Sequence, residues 1–315
     1  EVVMYRSLRL IGISALAAGV TACGGGSDSS ETGTVSFGVT DAPATEFSNV
    51  TVAFTEIRLK PEDGDWISFP LNGFEDQNLL ELQGGVSAPL ITDEEVPAGN
   101  YTELRLIVDT NNSFVKLESQ GDSTYTLAVP SGERSGLKLK GDFIVAADTS
   151  TDFTVDFDVH KSIVNPQGDS LADYLLKPSM RLVNNLEVGS ISGLADYAQI
   201  NSTRGANDSG DLLADCAPNY EGSAYVFAGA DAEPSDLNVN NDTGNPLLVL
   251  PVAPDDQSNL YTYTAGFLPA GEYTVSYSCQ LDDNETDDPL QFDGTQNVTV
   301  VAGETTQAKT IPLTQ

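Results

Sequence analysis

The chain has 315 residues, 40% of them hydrophobic, and is therefore long enough for two domains that each bury a core of their own. It carries 47 Asp and Glu against 14 Lys and Arg; residues 1–22 contain two Arg and one Glu, so without them 46 acids face 12 bases, a net charge of −34. Such a surface repels nucleic acid and anionic headgroups and is expected to hold no basic patch for phosphates; its acidity either serves solubility in salty surroundings or attracts divalent cations.

The first 22 residues consist of a basic stretch, an apolar run and a short segment of small residues before Cys23. Arg6 and Arg9 form a basic stretch, and the apolar run of residues 10–20 is too short to span a bilayer. Residues 20–23 read Val-Thr-Ala-Cys, which resembles the lipobox cut by lipoprotein signal peptidase. This resemblance implies that residues 1–22 are a bacterial lipoprotein signal peptide and that Cys23 carries the lipid. Residues 23–33 are rich in Gly and Ser and are predicted to form a flexible tether.

The residue after Cys23 indicates the destination of the chain. In lipoproteins of double-membraned bacteria an Asp at this position often signals retention in the inner membrane, whereas this chain has Gly24. We therefore expect an exported outer-membrane lipoprotein that faces the periplasm or the cell surface and is held by its acyl chains. The alternative is an ordinary secretory signal, with Cys23 a spare thiol.

Apolar and polar residues alternate from residue 34 onward, and no segment shows a sustained helical stripe. The alternation slips in phase near Thr55 and Glu56, which predicts a β-bulge, and Asp63-Gly64 predicts a hairpin turn. Residues 76–82 are predicted to form a single helical turn. Short strands separated by turn residues are typical of a sandwich or barrel, so we predict an all-β chain of two Greek-key, immunoglobulin-like β-sandwich domains.

The strand pattern restarts near residues 187–193, which places the two domains at residues 34–186 and 187–315. An internal echo indicates that they are related: Val96-Pro97-Ala98-Gly99-Asn100-Tyr101 recurs as Leu268-Pro269-Ala270-Gly271-Glu272-Tyr273. In both copies Pro and Gly are predicted to form a turn, and the Tyr to open a strand.

Three cysteines are present in the chain. If Cys23 carries the lipid, Cys216 and Cys279 remain as two thiols in an oxidising compartment. We predict that they form a disulfide.

Residues 34–186 carry an ordered series of short motifs: Val39-Thr40-Asp41-Ala42-Pro43, Val96-Pro97-Ala98-Gly99, Ser135-Gly136-Leu137-Lys138, Asp156-Phe157-Asp158-Val159-His160-Lys161-Ser162-Ile163 and Leu176-Lys177-Pro178. In this order they resemble the bacterial family called domain of unknown function 4382. The resemblance implies a secreted or lipid-anchored β domain without a known activity.

The second domain has shorter motifs, Ser223-Ala224-Tyr225-Val226-Phe227, Leu268-Pro269-Ala270-Gly271-Glu272-Tyr273-Thr274-Val275 and Val298-Thr299-Val300-Val301-Ala302-Gly303-Glu304. They resemble the carboxypeptidase-regulatory or transthyretin-like sandwich domains, a resemblance that implies a spacer or binding module. The long Asp-rich and Asn-rich loops and the predicted disulfide depart from that pattern.

A complete catalytic set is missing from the sequence. Gly168-Asp169-Ser170-Leu171 matches the nucleophile motif of one esterase group, but that group supplies its base from an Asp-x-x-His near the C-terminus. His160, the single His of the chain, lies upstream of Ser170 and has Phe157 where the Asp should be. One His and two paired Cys also cannot supply the usual zinc ligands, so we expect no enzyme.

Two groups of acids are candidate calcium ligands. A predicted strand over residues 153–160 places Asp156 and Asp158 on one face, where Asp41 could join them if the fold brings it close. The other group is Asp282, Asp283 and Asp287, whose spacing does not fit an EF-hand. The structural alternatives, which we favour, are a solvated strand face or a salt bridge to Lys161 or another Lys for the first group, and a solvated hairpin loop for the second.

The leading hypothesis is a non-enzymatic, lipid-anchored cell-envelope protein that acts as a binding or structural module. Its partners would be the membrane, through the lipid, and a glycan or another envelope protein, with no nucleic acid. The alternatives are a calcium-assisted adhesin or glycan-binding accessory and, because edge strands can pair between chains, an envelope assembly or filament component.

Overall fold

The computed structural model describes residues 31–42, 47–72, 78–130, 132, 134–166, 172–177, 179–205, 215–241 and 243–313, with only the backbone of Ala42 and His160. The chain divides into two compact units, Glu1–Ser30 and Glu31–Gln315, and all described residues belong to the second. The predicted signal peptide, Cys23 and Ser170 lie outside the described residues. No described helix is long and apolar enough to cross a bilayer.

The first half of the second unit is a β-sandwich of two sheets, which we name sheets A and B. Sheet A has the strand order β11-β8-β1-β4, and sheet B has the order β3-β2-β5-β6-β10-β9, with β7 paired to β5. The strands are β1 (Thr32–Ala42), β2 (Phe47–Pro61), β3 (Ile67–Pro70), β4 (Ala88–Pro97), β5 (Gly99–Leu117), β6 (Thr124–Ala128), β7 (Leu137–Val145), β8 (Ser150–Asp158), β9 (Ile163–Val164), β10 (Tyr174–Leu176) and β11 (Met180–Asn184).

The second half is another sandwich, of sheets C and D. Sheet C has the order β15-β16-β12-β19 and sheet D the order β14-β13-β17-β18. The strands are β12 (Val188–Ala195), β13 (Ser223–Ala228), β14 (Leu248–Pro251), β15 (Ala253–Pro254), β16 (Tyr261–Pro269), β17 (Gly271–Ser278), β18 (Asp293–Val300) and β19 (Thr305–Gln307). The all-β sandwich prediction is confirmed.

Helical structure is short. The helices are α1 (Val159–Ser162) and α2 (Tyr197–Gly205), and 3₁₀ turns cover Leu79–Glu81 and Glu118–Gln120. The first 3₁₀ turn falls within the predicted helical turn, where the Asn78 side chain accepts from the Leu80 amide at its start. The sequence did not predict α2, because its residues are mostly polar and form no apolar stripe.

Local sequence signals account for several features of sheet B. The pairing of β2 with β5 shifts between Phe54 and Glu56, which confirms the predicted bulge. The hairpin between β2 and β3 turns at Asp63-Gly64, where Gly64 has a φ of 124°, a value that glycine adopts without strain. Inward-facing residues of both sheets form one apolar cluster that extends from Val35 to Leu176, and a second cluster extends from Ile191 to Ile311.

The two sandwiches share a strand arrangement. The first strand of each, β1 or β12, lies between one antiparallel neighbour (β4 or β16) and one parallel neighbour (β8 or β19). The antiparallel neighbour continues into a strand of the opposite sheet. In the first sandwich this strand is β5, which pairs with β2 and β7. In the second it is β17, which pairs with β13 and β18. This repeat explains the internal echo of the sequence.

The echoed motifs form the corner at which the chain changes sheets. The Tyr101 hydroxyl donates to the Pro97 carbonyl at 2.7 Å, and the Tyr273 hydroxyl donates to the Pro269 carbonyl at the same distance. Such a bond resembles the tyrosine corner of immunoglobulin-like sandwiches. The sequence predicted the turn and the Tyr at the start of the next strand, and the structure adds the hydroxyl bond that fastens the corner.

The predicted disulfide is confirmed. Cys216 and Cys279 are bonded, and Cys279 is fully buried in the core of the second sandwich. The Ala217 amide donates to the Cys279 carbonyl at 2.9 Å, so a backbone bond accompanies the covalent one.

The sandwiches touch where β1 and β8 of sheet A and the loop before β4 meet β14 of sheet D and β16 of sheet C. A Cβ on Gly266 would lie 2.4 Å from the Cα of Gly85, so the two backbones meet with no room for a side chain. The Lys161 ammonium donates to the Pro246 carbonyl at 3.3 Å. We name this contact the junction.

Candidate functional site

The structure brings the first group of predicted calcium ligands to the same ends of two strands. Strands β1 and β8 run in parallel, and the register aligns Asp41 with Phe157. Because aligned side chains share a face and successive ones alternate, Asp41 lies on the opposite face from Asp156 and Asp158. Its Oδ1 accepts from the Val159 amide at 3.1 Å in a buried bond. The three carboxylates are therefore not one ligand set.

Asp156 has an ion-pair partner. Its Oδ2 accepts from Nε of Arg181 at 2.6 Å and lies 2.5 Å from Nη2 of the same residue. Burial raises the pKa of Asp156, and the Arg181 charge opposes that rise. The favoured prediction of a solvated face is wrong here, because Asp156 lines a crevice that Leu248 and Leu250 of the second sandwich also line.

The predicted strand over residues 153–160 ends earlier than expected. Strand β8 ends at Asp158, and α1 follows, so His160 lies in a helix and not on the strand face. Asp158 starts this helix: its side chain accepts from the Lys161 amide at 3.1 Å and pairs with the Lys161 ammonium at 2.9 Å. The predicted salt bridge to Lys161 is therefore confirmed for Asp158.

The second acidic group fastens two loops together. Oδ2 of Asp282 accepts from the Tyr225 hydroxyl at 2.9 Å and from the Leu237 amide at 3.1 Å. Oδ1 of Asp287 accepts from Asn238 at 2.7 Å and from Asn241 at 2.9 Å. These two carboxylates accept hydrogen bonds that join residues 282–287 to Tyr225 and to residues 237–241, so the second group is bonded to other segments of the fold.

Asp282 and Asp283 differ in environment. Burial, followed by the nearby charges of Asp236 and Asp288, raises the pKa of Asp282 to about 6. Asp283 is exposed, and its Oδ1 accepts from the Glu285 amide at 3.0 Å. Across the described residues no three Asp, Glu, His or Cys side chains are placed to hold a metal ion. Calcium binding stays a prediction, without a ligand set in that part of the chain.

A cluster of cations lies on the solvent side of sheet B. We name it the cationic face and define it by five residues of β2, β5 and β7, which are Arg58, Lys60, Arg105, Lys138 and Lys140. Their strand neighbours Leu59, Leu104 and Leu139 point into the core, so all five side chains share the outer surface. These are five of the 14 Lys and Arg in the chain. The expectation of no basic patch is therefore wrong.

Strand register places three of these cations in one row. Arg58 is directly opposite Arg105, and Arg105 is directly opposite Lys138. Adjacent strands lie about 4.8 Å apart, so like charges in such a row repel one another and destabilise the sheet. In the next row Glu103 stands between Lys60 and Lys140.

Two glutamates and one tryptophan hold the arginines in place. Arg58 donates to Glu56 at 2.7 Å, and Arg105 donates through Nε to Glu103 at 2.6 Å. The Arg105 guanidinium also stacks over the Trp66 ring, 4.3 Å from its centre. The hydrogen bond from Arg58 lowers the pKa of Glu56, so this carboxylate stays ionised. The five cations and the two glutamates together carry a net charge of +3, and Glu62 and Asp142 are exposed beside them, two residues from Lys60 and Lys140.

Two of the three lysines of the face are more open than the arginines, whereas Lys60 is half-buried. Lys138 and Lys140 are exposed, and neither takes part in an ion pair with the described residues. The arrangement offers two oriented guanidinium forks and two mobile ammonium groups on a flat surface, which is suited to binding anions. The sequence alternation placed each residue on the outside of a strand, but only the register could show that they adjoin.

A groove opens beside the cationic face, between edge strands β7 and β11. Its volume is about 480 Å³, and Phe143, Phe153 and Met180 line it. Two large apolar side chains near it are exposed, Ile144 by 66% and Leu186 by 74%. The groove lies between the free edges of sheets A and B.

Residues 32–178 match the family model of a domain of unknown function (DUF4382), which confirms the resemblance predicted for the first part of the chain. No curated protein matches the chain.

Three solved structures are similar over most of this chain. A leucine-rich repeat protein from Bacteroides thetaiotaomicron is 12% identical with a TM-score of 0.21, over 90% of this chain and 26% of that protein. The Bacillus anthracis TIE protein is 10% identical with a TM-score of 0.20, over 89% of this chain and 34% of that protein. A candidate cell adhesion protein from Bacteroides fragilis is 10% identical with a TM-score of 0.20, over 89% of this chain and 94% of that protein. The chain spans about a quarter and a third of the first two proteins. Such low TM-scores carry no argument about function.

Proposed function

We propose that the chain is a non-enzymatic outer-membrane lipoprotein, anchored through Cys23, that acts as a binding module, with the cationic face as its binding surface. The observation that carries the proposal is the row of Arg58, Arg105 and Lys138 in a chain with a net charge of −33. Like charges placed directly opposite cost stability. An anionic partner would neutralise that repulsion.

The bonding of the candidate acids supports a non-enzymatic role. Asp156, Asp158 and Asp282 each hold a structural partner: an arginine, a helix start and a buried tyrosine hydroxyl. In each case the carboxylate is engaged by a partner within the fold. Such bonds stabilise the folded chain.

The second sandwich would serve as a spacer. Its sequence resembles the carboxypeptidase-regulatory or transthyretin-like domains, and the junction holds it against sheet A of the first sandwich. Because the cationic face belongs to sheet B, this packing leaves the face open. A module of this kind would display one flat cationic surface outside the membrane.

Anchoring and binding can be tested separately. Metabolic labelling with an alkyne fatty acid should label the wild-type chain and not Cys23→Ala; label that survives the substitution refutes the anchor. For binding, the unlipidated Cys23→Ala chain is added to isolated cell envelopes, with and without Lys138→Glu and Lys140→Glu. Saturable binding that is lost on charge reversal supports the proposal, whereas equal retention of both proteins refutes it.

A second candidate function is assembly between copies, which the groove between β7 and β11 favours. Free edges of two sheets beside exposed Ile144 and Leu186 could accept a strand from another chain. Sedimentation velocity over a hundredfold concentration range tests this function. Polymers that grow with concentration support it, and a monomer throughout removes it.

A further inference from the structure

We infer that the cationic face binds a carboxylated polysaccharide, a linear polymer with a uronic-acid type carboxylate on its sugar rings. The inference rests on the proposed function and names the ligand of the same surface. It comes from the chemistry of five side chains, their register and one aromatic ring.

The two arginines already hold carboxylates. Arg58 and Arg105 each donate to a glutamate two residues away on the same strand. A guanidinium has five N–H donors in a planar fork that matches a carboxylate, and each of these bonds uses only one donor. Both forks are therefore oriented by the protein, with most of their donors left for a further acceptor.

The spacing of the row favours a polymer over a single anion. Three cations follow one another across β2, β5 and β7 at about 4.8 Å per strand, which makes a strip about 10 Å long. Lys60 and Lys140 extend the charge about 7 Å along the strands, two residues further on. A small anion would satisfy one cation, whereas a chain with repeated carboxylates can satisfy several together.

Trp66 supplies an apolar surface beside Arg105, the middle cation of the strip. The ring lies under the Arg105 guanidinium and is only partly buried. Aromatic rings with an exposed edge or face pack against apolar groups, and the C–H side of a sugar ring is such a group. The combination of a charged row with an adjoining ring suits a charged carbohydrate better than a bare ion.

The charge of the chain argues against nucleic acid and against an anionic membrane as the ligand of the cationic face. The five cations and two glutamates of the face carry a net charge of +3, whereas the chain as a whole carries −33, so a densely charged duplex or an anionic bilayer would meet strong repulsion outside the strip. A thin, flexible polysaccharide with moderate charge density can follow the strip and avoid the acidic remainder.

Trp66 is the single tryptophan of the chain, so its fluorescence reports on this face. The full chain is titrated with polygalacturonate in low-salt buffer, with neutral dextran, dextran sulfate, duplex DNA and anionic phosphatidylglycerol vesicles as parallel arms. We expect a saturable change in Trp66 emission with polygalacturonate that weakens as salt is added. Arg105→Gln should bind about tenfold more weakly, since it removes a charge-assisted bond.

Two further variants make the result decisive even if Arg105→Gln fails to fold. Lys138→Glu with Lys140→Glu alters only exposed side chains and should weaken binding at least tenfold. Lys309→Gln is the matched control, because Lys309 is exposed in the second sandwich, and it should bind like wild type.

The outcomes separate the ligand from the proposed function. No response to polygalacturonate, or a response that charge reversal leaves unchanged, overturns the inference. Tighter binding of neutral dextran, dextran sulfate, DNA or the vesicles overturns the carboxylated class. Because envelope binding is measured independently, it can persist through Lys138 and Lys140 while polygalacturonate fails, which would leave the binding function intact.

Discussion

Removal of the disulfide gives a stability loss that can be worked from the chain. The bond between Cys216 and Cys279 closes a loop with a sequence separation of 63 residues. In the chain-entropy model the loop-closure entropy of that length, 2.1 + 1.5R ln 63 in cal/mol/K, stabilises the folded state by about 4 kcal/mol at 25 °C. This is a large part of the ~5–15 kcal/mol that holds a typical domain folded.

The assay compares two chains. The parent carries Cys23→Ala, and the variant carries Cys216→Ala and Cys279→Ala in addition. Urea unfolding is followed by near-UV circular dichroism of the tyrosines, which are concentrated in the second sandwich, and by Trp66 fluorescence for the first. We expect the free energy of unfolding of the second sandwich to fall by about 4 kcal/mol. The parent chain treated with a reductant should lose the same amount.

A loss below about 1 kcal/mol by both routes would refute the reasoning, because it would mean that the unfolded chain is not restricted by the bond. The Trp66 signal adds a second result. If the junction couples the sandwiches, the fluorescence transition should move to lower urea together with the tyrosine signal. Separate transitions would show that each sandwich unfolds alone.

Three other substitutions follow from the structure. Gly266→Ala should destabilise the chain by about 1–3 kcal/mol, because its Cβ would meet the Gly85 backbone, whereas Gly271→Ala, which has space, is the control; equal melting temperatures contradict the junction. Asp282→Asn should stabilise the chain by about 1–2 kcal/mol at pH 7.5 and leave the stability unchanged at pH 4. Because folding raises the pKa of Asp282 from 3.8 to about 6, the contribution of this group to stability is fully present below pH 4 and is lost as the pH rises through 6. The expected gain is discounted because Asp282 is partly exposed. Denaturant unfolding at both pH values checks it, and an equal effect at both would refute it. Tyr273→Phe should cost about 1 kcal/mol in the same measurement through loss of its bond to the Pro269 carbonyl, and an unchanged stability would show that this bond adds nothing.

Local sequence signals were enough for features that depend on near neighbours. The bulge at Glu56, the hairpin at Asp63 and the corners at Tyr101 and Tyr273 each follow from a few adjacent residues. The disulfide followed from the count of cysteines and the expected compartment. The turns, the bulge and the corners depend on short segments, and the disulfide was predicted because only two cysteines remain once Cys23 is assigned to the lipid.

The misjudged features depend on contacts between distant segments. Asp156 was expected to be solvated because it alternates with core residues, but the second sandwich covers that face of sheet A. The cationic face was missed because Arg58, Arg105 and Lys138 are far apart in sequence and adjoin only through register. Alternation tells which residues share a face of one strand, and it does not tell what lies beside or above that face.

The same alternation therefore has opposite meanings on the two sheets of the first sandwich. On β8 the polar face carries Thr154 and Asp156, both buried, and the buried charge there is matched by one arginine. On β2, β5 and β7 the polar face stays in water, where an unmatched charge costs little through desolvation and the penalty comes only from repulsion between neighbours. An excess of positive charge can be kept only on such a solvated face, and in sheet B it is kept in a row. That row repels itself in the free protein, so any polyanion that settles on it relieves the repulsion as well as gaining hydrogen bonds, and binding should therefore also raise the stability of the first sandwich.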